Sequence, residues 1–196
     1  LIGVARGWST IVLMWCKIVS VLHYCSIGNS ASSGGGIFLN HFNKVIIKNS
    51  SFINNSVTNK GGGIESDHGN IFIIMHTLLT ANKARSSGAG INGYSLKIVT
   101  ILFSKFTSNY AKYMGEGISI NKINIFHSFK NIFVSNFAER DGSTMKITYA
   151  RVISNIISSF FLNNLKGVVA SYRATRNGGK VFFIRNVFIN NKAVPI

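Results

Sequence analysis

Apolar residues along this chain come in short, β-branched runs rather than on one face of long segments. Ile37-Phe38-Leu39, Val45-Ile46-Ile47 and Ser51-Phe52-Ile53 are representative. A helix face needs apolar positions about 3.6 residues apart over ten or more positions, and these runs are too short for that. Strands need only alternation, because residues two apart share a face. On that reading Ile37 with Leu39 and Val45 with Ile47 point inward, while Phe38 and Ile46 point outward.

The runs recur with a fixed period. Gly34-Gly35-Gly36-Ile37 returns 27 residues later as Gly61-Gly62-Gly63-Ile64, then as Gly88-Ala89-Gly90-Ile91 and Gly115-Glu116-Gly117-Ile118. Gly142-Ser143-Thr144-Met145 is a degenerate copy. Phe52, Leu79, Phe106, Phe133 and Phe160 form a second column, and Asn55, Asn82, Asn109, Asn136 and Asn163 a third. Between them runs Val45, Phe72, Val99, Phe126, Ile153. A sixth copy, Phe188 with Asn191 and Ala193, follows after 28 residues.

A unit of this size cannot bury its apolar face alone, so neighbours stack and like residues land on like. The expected fold is all-β: a right-handed parallel β-helix of about six or seven coils. At about 4.8 Å per coil it would be a rod on the order of 30 Å long. Glycine supplies the left-handed turns, with asparagine next best. Stacked Asn amides can also bond along the rod. Coils are expected to start near residues 34, 61, 88, 115, 142 and 170. Residues 1–33 read as a divergent first coil or cap, with Ile18 and Cys25 in the apolar and Phe columns and Gly28 at the Asn position. No cap is evident in residues 192–196, so the chain is expected to be part of a longer solenoid. A leucine-rich repeat would want Leu at fixed places, and a propeller blade about 40 or more residues.

The paired motifs resemble the Gly-Gly-Ala-Ile and Phe-x-x-Asn repeats of the polymorphic outer-membrane protein family and of other large surface proteins with pectin-lyase-like domains. The matching residues are Gly35-Gly36-Ile37, Gly62-Gly63-Ile64, Gly90-Ile91 and Gly117-Ile118. They are joined by Phe52 to Asn55, Phe106 to Asn109, Phe133 to Asn136, Phe160 to Asn163 and Phe188 to Asn191. The resemblance spans about residues 34–191 and departs at the middle Ala, which is Gly or Glu in most copies. It implies a secreted or cell-surface, adhesive role.

Composition adds a charge bias. There are 21 Lys and Arg against 5 Asp and Glu, a net charge of +16. Such a balance favours anionic partners: acidic glycans, a membrane surface or nucleic acid. An anionic polysaccharide or another surface protein is the expected partner. Nucleic acid is disfavoured because no motif supports it beyond charge. With 46% hydrophobic residues the chain is too apolar for charge-driven disorder. Ile11 to Leu22 is apolar but broken by Lys17, and a spanning helix wants about 20 apolar residues. Two cysteines, Cys16 and Cys25, make neither a disulfide framework nor a metal motif.

Candidate chemistry is sparse. A glycosidase needs two carboxylates flanking the bond, and Glu65 with Asp67, two apart and both outward, is the nearest approach to a pair. Glu116, Glu139 and Asp141 are the remaining acids. His41 and His68 share a repeat position beside Asp67 and form a weak transition-metal candidate. Arg85, Lys112 and Lys166 form a basic column interrupted by Glu139. Asn49-Ser50-Ser51 and Asn54-Asn55-Ser56 are glycosylation sequons. The expected function is a non-catalytic structural or adhesive module with a basic Asn/Ser/Lys-rich outer face and no cofactor. The alternative is a polysaccharide lyase, a glycosidase or a glycan-binding domain of the same fold.

Overall fold

A computed structural model describes residues 3–6, 10–139, 144–165, 169–170 and 180–192. It is an all-β parallel solenoid of about six turns, with turns about 27 residues apart and no helix among the described residues. The regular turns in the middle of the stack each contribute a long strand, a three-residue strand and a two-residue strand. In one turn these are Ile91–Leu102, Lys105–Thr107 and Tyr110–Ala111. Like strands pair in parallel down the stack, giving two eight-stranded sheets and one five-stranded sheet among the described residues.

The inward columns are those expected from alternation. Ile37, Leu39, Val45 and Ile47 are buried, and so are their successors Ile64, Phe72 and Ile74. Phe106, Phe133, Phe161 and Phe188 stack with ring centroids 4.8–5.0 Å apart, which is the strand spacing itself. A second, smaller core of Val57, Ala84, Ala89 and Ala111 lies behind the two-residue strands.

Polar groups are buried too, and they bond along the stack. Asn109 Oδ1 accepts from the backbone N–H of Asn82 at 3.1 Å and from Asn82 Nδ2 at 3.0 Å. Asn109 Nδ2 donates to the Leu79 carbonyl at 2.9 Å and to Asn136 Oδ1 at 3.0 Å. The same pattern continues through Asn136 and Asn164 to Asn191. A parallel ladder of side chains runs through Thr77, Ser104, Asn131, Ser159 and Asn186.

Three sequence expectations are corrected. In the last regular coil the Phe and Asn columns hold Phe161 and Asn164, not Phe160 and Asn163. The extra residue lies inside the long strand: pairing is Ile123 to Ala150, then Ile125 to Ile153, with a register shift between. Ser154 therefore faces inward at full burial, and Ile153 is outward and 37% exposed. Doubled Phe160-Phe161 and Asn163-Asn164 conceal this insertion in the sequence. In the first coil the offset is 26, so Val19, Ser26 and Asn29 hold the columns rather than Ile18, Cys25 and Gly28. Finally, Ile37–Phe38–Leu39 and Val45–Ile46–Ile47 belong to one strand, Ile37–Lys48, bent at His41.

That bend is a column of left-handed residues: Trp15, His41, His68, Ser95, Lys122 and Tyr149, with φ of 50–57°. Another holds Asn49, His76, Phe103, Lys130 and Ser158. Left-handed φ costs a non-glycine residue about 1–2 kcal/mol. It is retained because the backbone still bonds along the stack, as where His76 N–H donates to the Leu102 carbonyl and Phe103 N–H to Phe129. Glycine fills the turn column at Gly34, Gly61, Gly88 and Gly115, with φ of 60–69°. Gly90 serves differently: a Cβ there would lie 2.3 Å from the Gly117 carbonyl of the next turn.

Replacing Asn109 with Ala strips partners from the Asn82 amide and the Leu79 carbonyl, each a buried group. At about 1–3 kcal/mol for an orphaned buried polar group, urea denaturation should show a loss of roughly 3 kcal/mol or more. Asn43→Ala, at an exposed position, should change stability by less than about 0.5 kcal/mol.

Candidate functional site

The bend in each long strand divides its outer face in two. On the first half, outward positions stack as Glu65, Asn92, Ser119 and Lys146, and as Asp67, Tyr94, Asn121 and Thr148. The turns preceding the strands rise beside them and bring up Lys60, Ser87 and Met114. Between strand face and turn wall lies a trough of about 540 Å³ lined by these groups and by Tyr149. Its lining is mainly polar: amides, hydroxyls, two tyrosines and the ammonium groups of Lys60 and Lys146. Lys122 donates a hydrogen bond to the Tyr94 hydroxyl, and Lys146 Nζ rests against Met114 Sδ.

Glu65 is on the outward face as expected, but it is only 8% exposed and does not line the trough. The Gly60s turn closes over it; a Cβ on Gly61 would lie 2.6 Å from its Oε2. Asn92 Nδ2 donates to Glu65 Oε1 at 3.0 Å, and Oε2 is buried with no hydrogen-bond partner. Burial pushes the Glu65 carboxyl up to about 7, against the opposing pull of Asn92 and Lys60. Asp67 pairs on its other side, its Oδ1 2.8 Å from His68 Nδ1. Its charge adds to the upward push on the Glu65 carboxyl, so the two acids sense each other although their hydrogen-bond partners differ.

His41 and His68 are brought together, as part of a ring ladder. Trp15 and His41 stack at 4.1 Å, His41 and His68 at 4.9 Å and 8° from parallel, and Tyr94 meets His68 edge-on at 5.7 Å. Parallel imidazoles direct their nitrogens side by side rather than toward a common point. His41 Nδ1 is 2.6 Å from Asn40 Oδ1. Among the described residues no group of three or more His, Cys, Asp or Glu is placed to hold a metal ion.

Glu116 is a finding the sequence did not flag. It occupies the column of Ala89, is fully buried, and both carboxyl oxygens lack hydrogen-bond partners. Burial pushes it up to about 8, opposed by the nearby backbone amides of Glu116 and Ala138, which stop short of hydrogen-bond geometry. Glu139 is exposed and bonded by the Tyr110 hydroxyl. Of the basic column, Arg85 is exposed and Lys112 half-buried, while Lys166 and Asp141 lie outside the described residues. Both sequon acceptors, Asn49 and Asn54, are exposed at left-handed corners. The trough itself was recoverable only by combining the outward columns with the turn column, since neither alone suggests a concavity.

No protein-family model, no curated protein and no solved structure matches the chain. Among the described residues no helix is long and apolar enough to cross a membrane.

The two buried glutamates make stability depend on pH with a defined sign. Their carboxyls titrate near 4.5 when unperturbed and at about 7 and about 8 in the fold. The folded chain therefore holds more protons than the unfolded chain across that window. Their contribution is fully present below about 4.5 and is lost as the pH rises through 7 to 8. Glu116→Ala should raise the melting temperature at pH 8 by roughly 5 °C or more and leave it nearly unchanged at pH 4. Melting curves at the two pH values check this.

Proposed function

We propose that the chain is a non-catalytic module of a secreted or cell-surface protein that binds an anionic polysaccharide along the trough. The observation that carries the reading is the lining, drawn from four successive turns: two tyrosines, several amide and hydroxyl groups, and Lys60 with Lys146. Aromatic faces suit sugar rings, amides and hydroxyls suit their hydroxyl groups, and ammonium groups suit carboxylate or sulfate. A net charge of +16 adds a long-range attraction to such polymers. The repeat resemblance to polymorphic outer-membrane proteins supports the surface location and the adhesive role. The burial of Glu65 against Asn92, away from the trough lining, argues against an acid/base pair with Asp67.

Calorimetry with polygalacturonate and with heparin oligosaccharides tests the reading. Binding should weaken steeply with salt and fall about tenfold or more in Tyr94→Ala with Lys60→Ala, with no release of shorter chains or unsaturated ends. Turnover of either polymer that disappears in Glu65→Gln or Asp67→Asn would establish the enzymatic alternative instead. Absence of binding to either polymer would remove the glycan assignment.

A further inference from the structure

Beyond the bend, the second half of each long strand presents a different outer face. Ile71, Ile98 and Ile125 pair side by side on successive turns. Two residues further along, Ile46 pairs with Ile73. Two further again, Met75, Leu102 and Phe129 are neighbours. All eight side chains are partly exposed and point away from the core. Thr100 and His127 hold the middle column on the two later turns, so the apolar surface is two flanking columns joined at Ile73, roughly 13 Å along the strands and about 14 Å down the stack. Its backbone N–H and C=O groups are satisfied by parallel pairing, so water is not required over it.

The charge around the patch is uniform. Lys44 and Lys48 stand on the turn where the first and third columns would otherwise hold apolar residues. Lys97 is exposed beside Ile98. Lys130 stands at the neighbouring corner, its Nζ 5.2 Å from the Phe129 ring centroid. Residues 43–48, 70–75, 97–102 and 124–129 contain no Asp or Glu. Two apolar columns rimmed by long, flexible cations match the boundary between acyl chains and anionic headgroups. A second copy of the chain is a poorer match, because two chains of +16 would meet through lysine-rimmed faces.

We infer that the outer face built from Ile71, Ile98, Ile125, Leu102 and Phe129 is a docking surface for an anionic lipid bilayer. The strand lies flat on the membrane, its side chains reach the acyl boundary and the lysines bind lipid phosphates. This goes beyond the polysaccharide reading and does not depend on it, because the trough lies on the other half of the strands.

Co-sedimentation with sonicated vesicles tests the inference. The probes are mixed phosphatidylglycerol–phosphatidylcholine vesicles and pure phosphatidylcholine vesicles. The chain should sediment with the first and only weakly with the second. Ile71→Thr with Ile98→Thr and Ile125→Thr keeps β-branched residues on the strand and should cut the partition about tenfold or more. A folded circular dichroism spectrum and an unchanged melting temperature are the controls. Met75→Gln with Leu102→Gln should give a loss of the same direction, and serves if the triple variant does not fold. Lys44→Glu with Lys97→Glu should abolish the preference for anionic vesicles. Failure of the unmodified chain to sediment, or equal sedimentation of folded apolar-face variants, would overturn the proposal. So would a dimer in light scattering that becomes monomeric in those variants, since the face would then belong to a second copy.

Discussion

A parallel solenoid must satisfy, at every corner, backbone groups that lie inside the stack and cannot reach water. In this chain the side-chain amide of one asparagine per turn does so at one corner, and the side chains of Ser104, Asn131, Ser159 and Asn186 do so at another. At the first, the amide oxygen takes the N–H of the preceding turn's asparagine, and its NH₂ caps a carbonyl on the preceding turn, as Asn109 does for Asn82 and Leu79. Both ends of the amide also bond to its own column. The column can neither drift nor skip without orphaning buried groups on two turns at once. The stacked Phe106, Phe133 and Phe161 rings and the left-handed corners hold their positions within that register.

The irregular spacings follow from the same constraint. The first turn is one residue short and a later one is one residue long, yet Asn29 and Asn164 remain in the ladder. The added residue is absorbed between Ala150 and Ile153, where strand pairing shifts locally and no side-chain ladder is interrupted. Period, strand alternation and glycine turns were legible in the sequence because each repeats in identical chemistry. The exact column members were not, where neighbours duplicate the signal. Asn163 and Asn164 differ only in that one takes the left-handed corner and the other enters the ladder. The long strand was hidden for a related reason: its bend is occupied by Trp, His, Ser, Lys and Tyr in turn, with no common side chain to mark it.

The outer surface obeys no such repeat, and there the sequence said less. Glu65 faces outward by alternation, but its burial depends on the turn at Gly61, a contact across two columns. Glu116 replaces Ala89 in a turn column, and only the small core behind the turn makes that exchange costly. The trough and the isoleucine face likewise depend on columns being adjacent around the turn. Period alone does not reveal that adjacency. What was readable in advance was the scarcity of acids and the excess of lysine, and both surfaces draw on it.

The Asn amides are structural members of the stack, bonded from turn to turn between Asn55 and Asn191. Hydrogen exchange of the side-chain NH₂ protons of Asn82, Asn109 and Asn136, followed by NMR, addresses this most directly. These protons should exchange only with global unfolding, as slowly as the backbone amides of Phe106 and Val99, while the exposed Asn43 amide exchanges at once. Rapid exchange at Asn82, Asn109 and Asn136 in a folded chain would contradict that role.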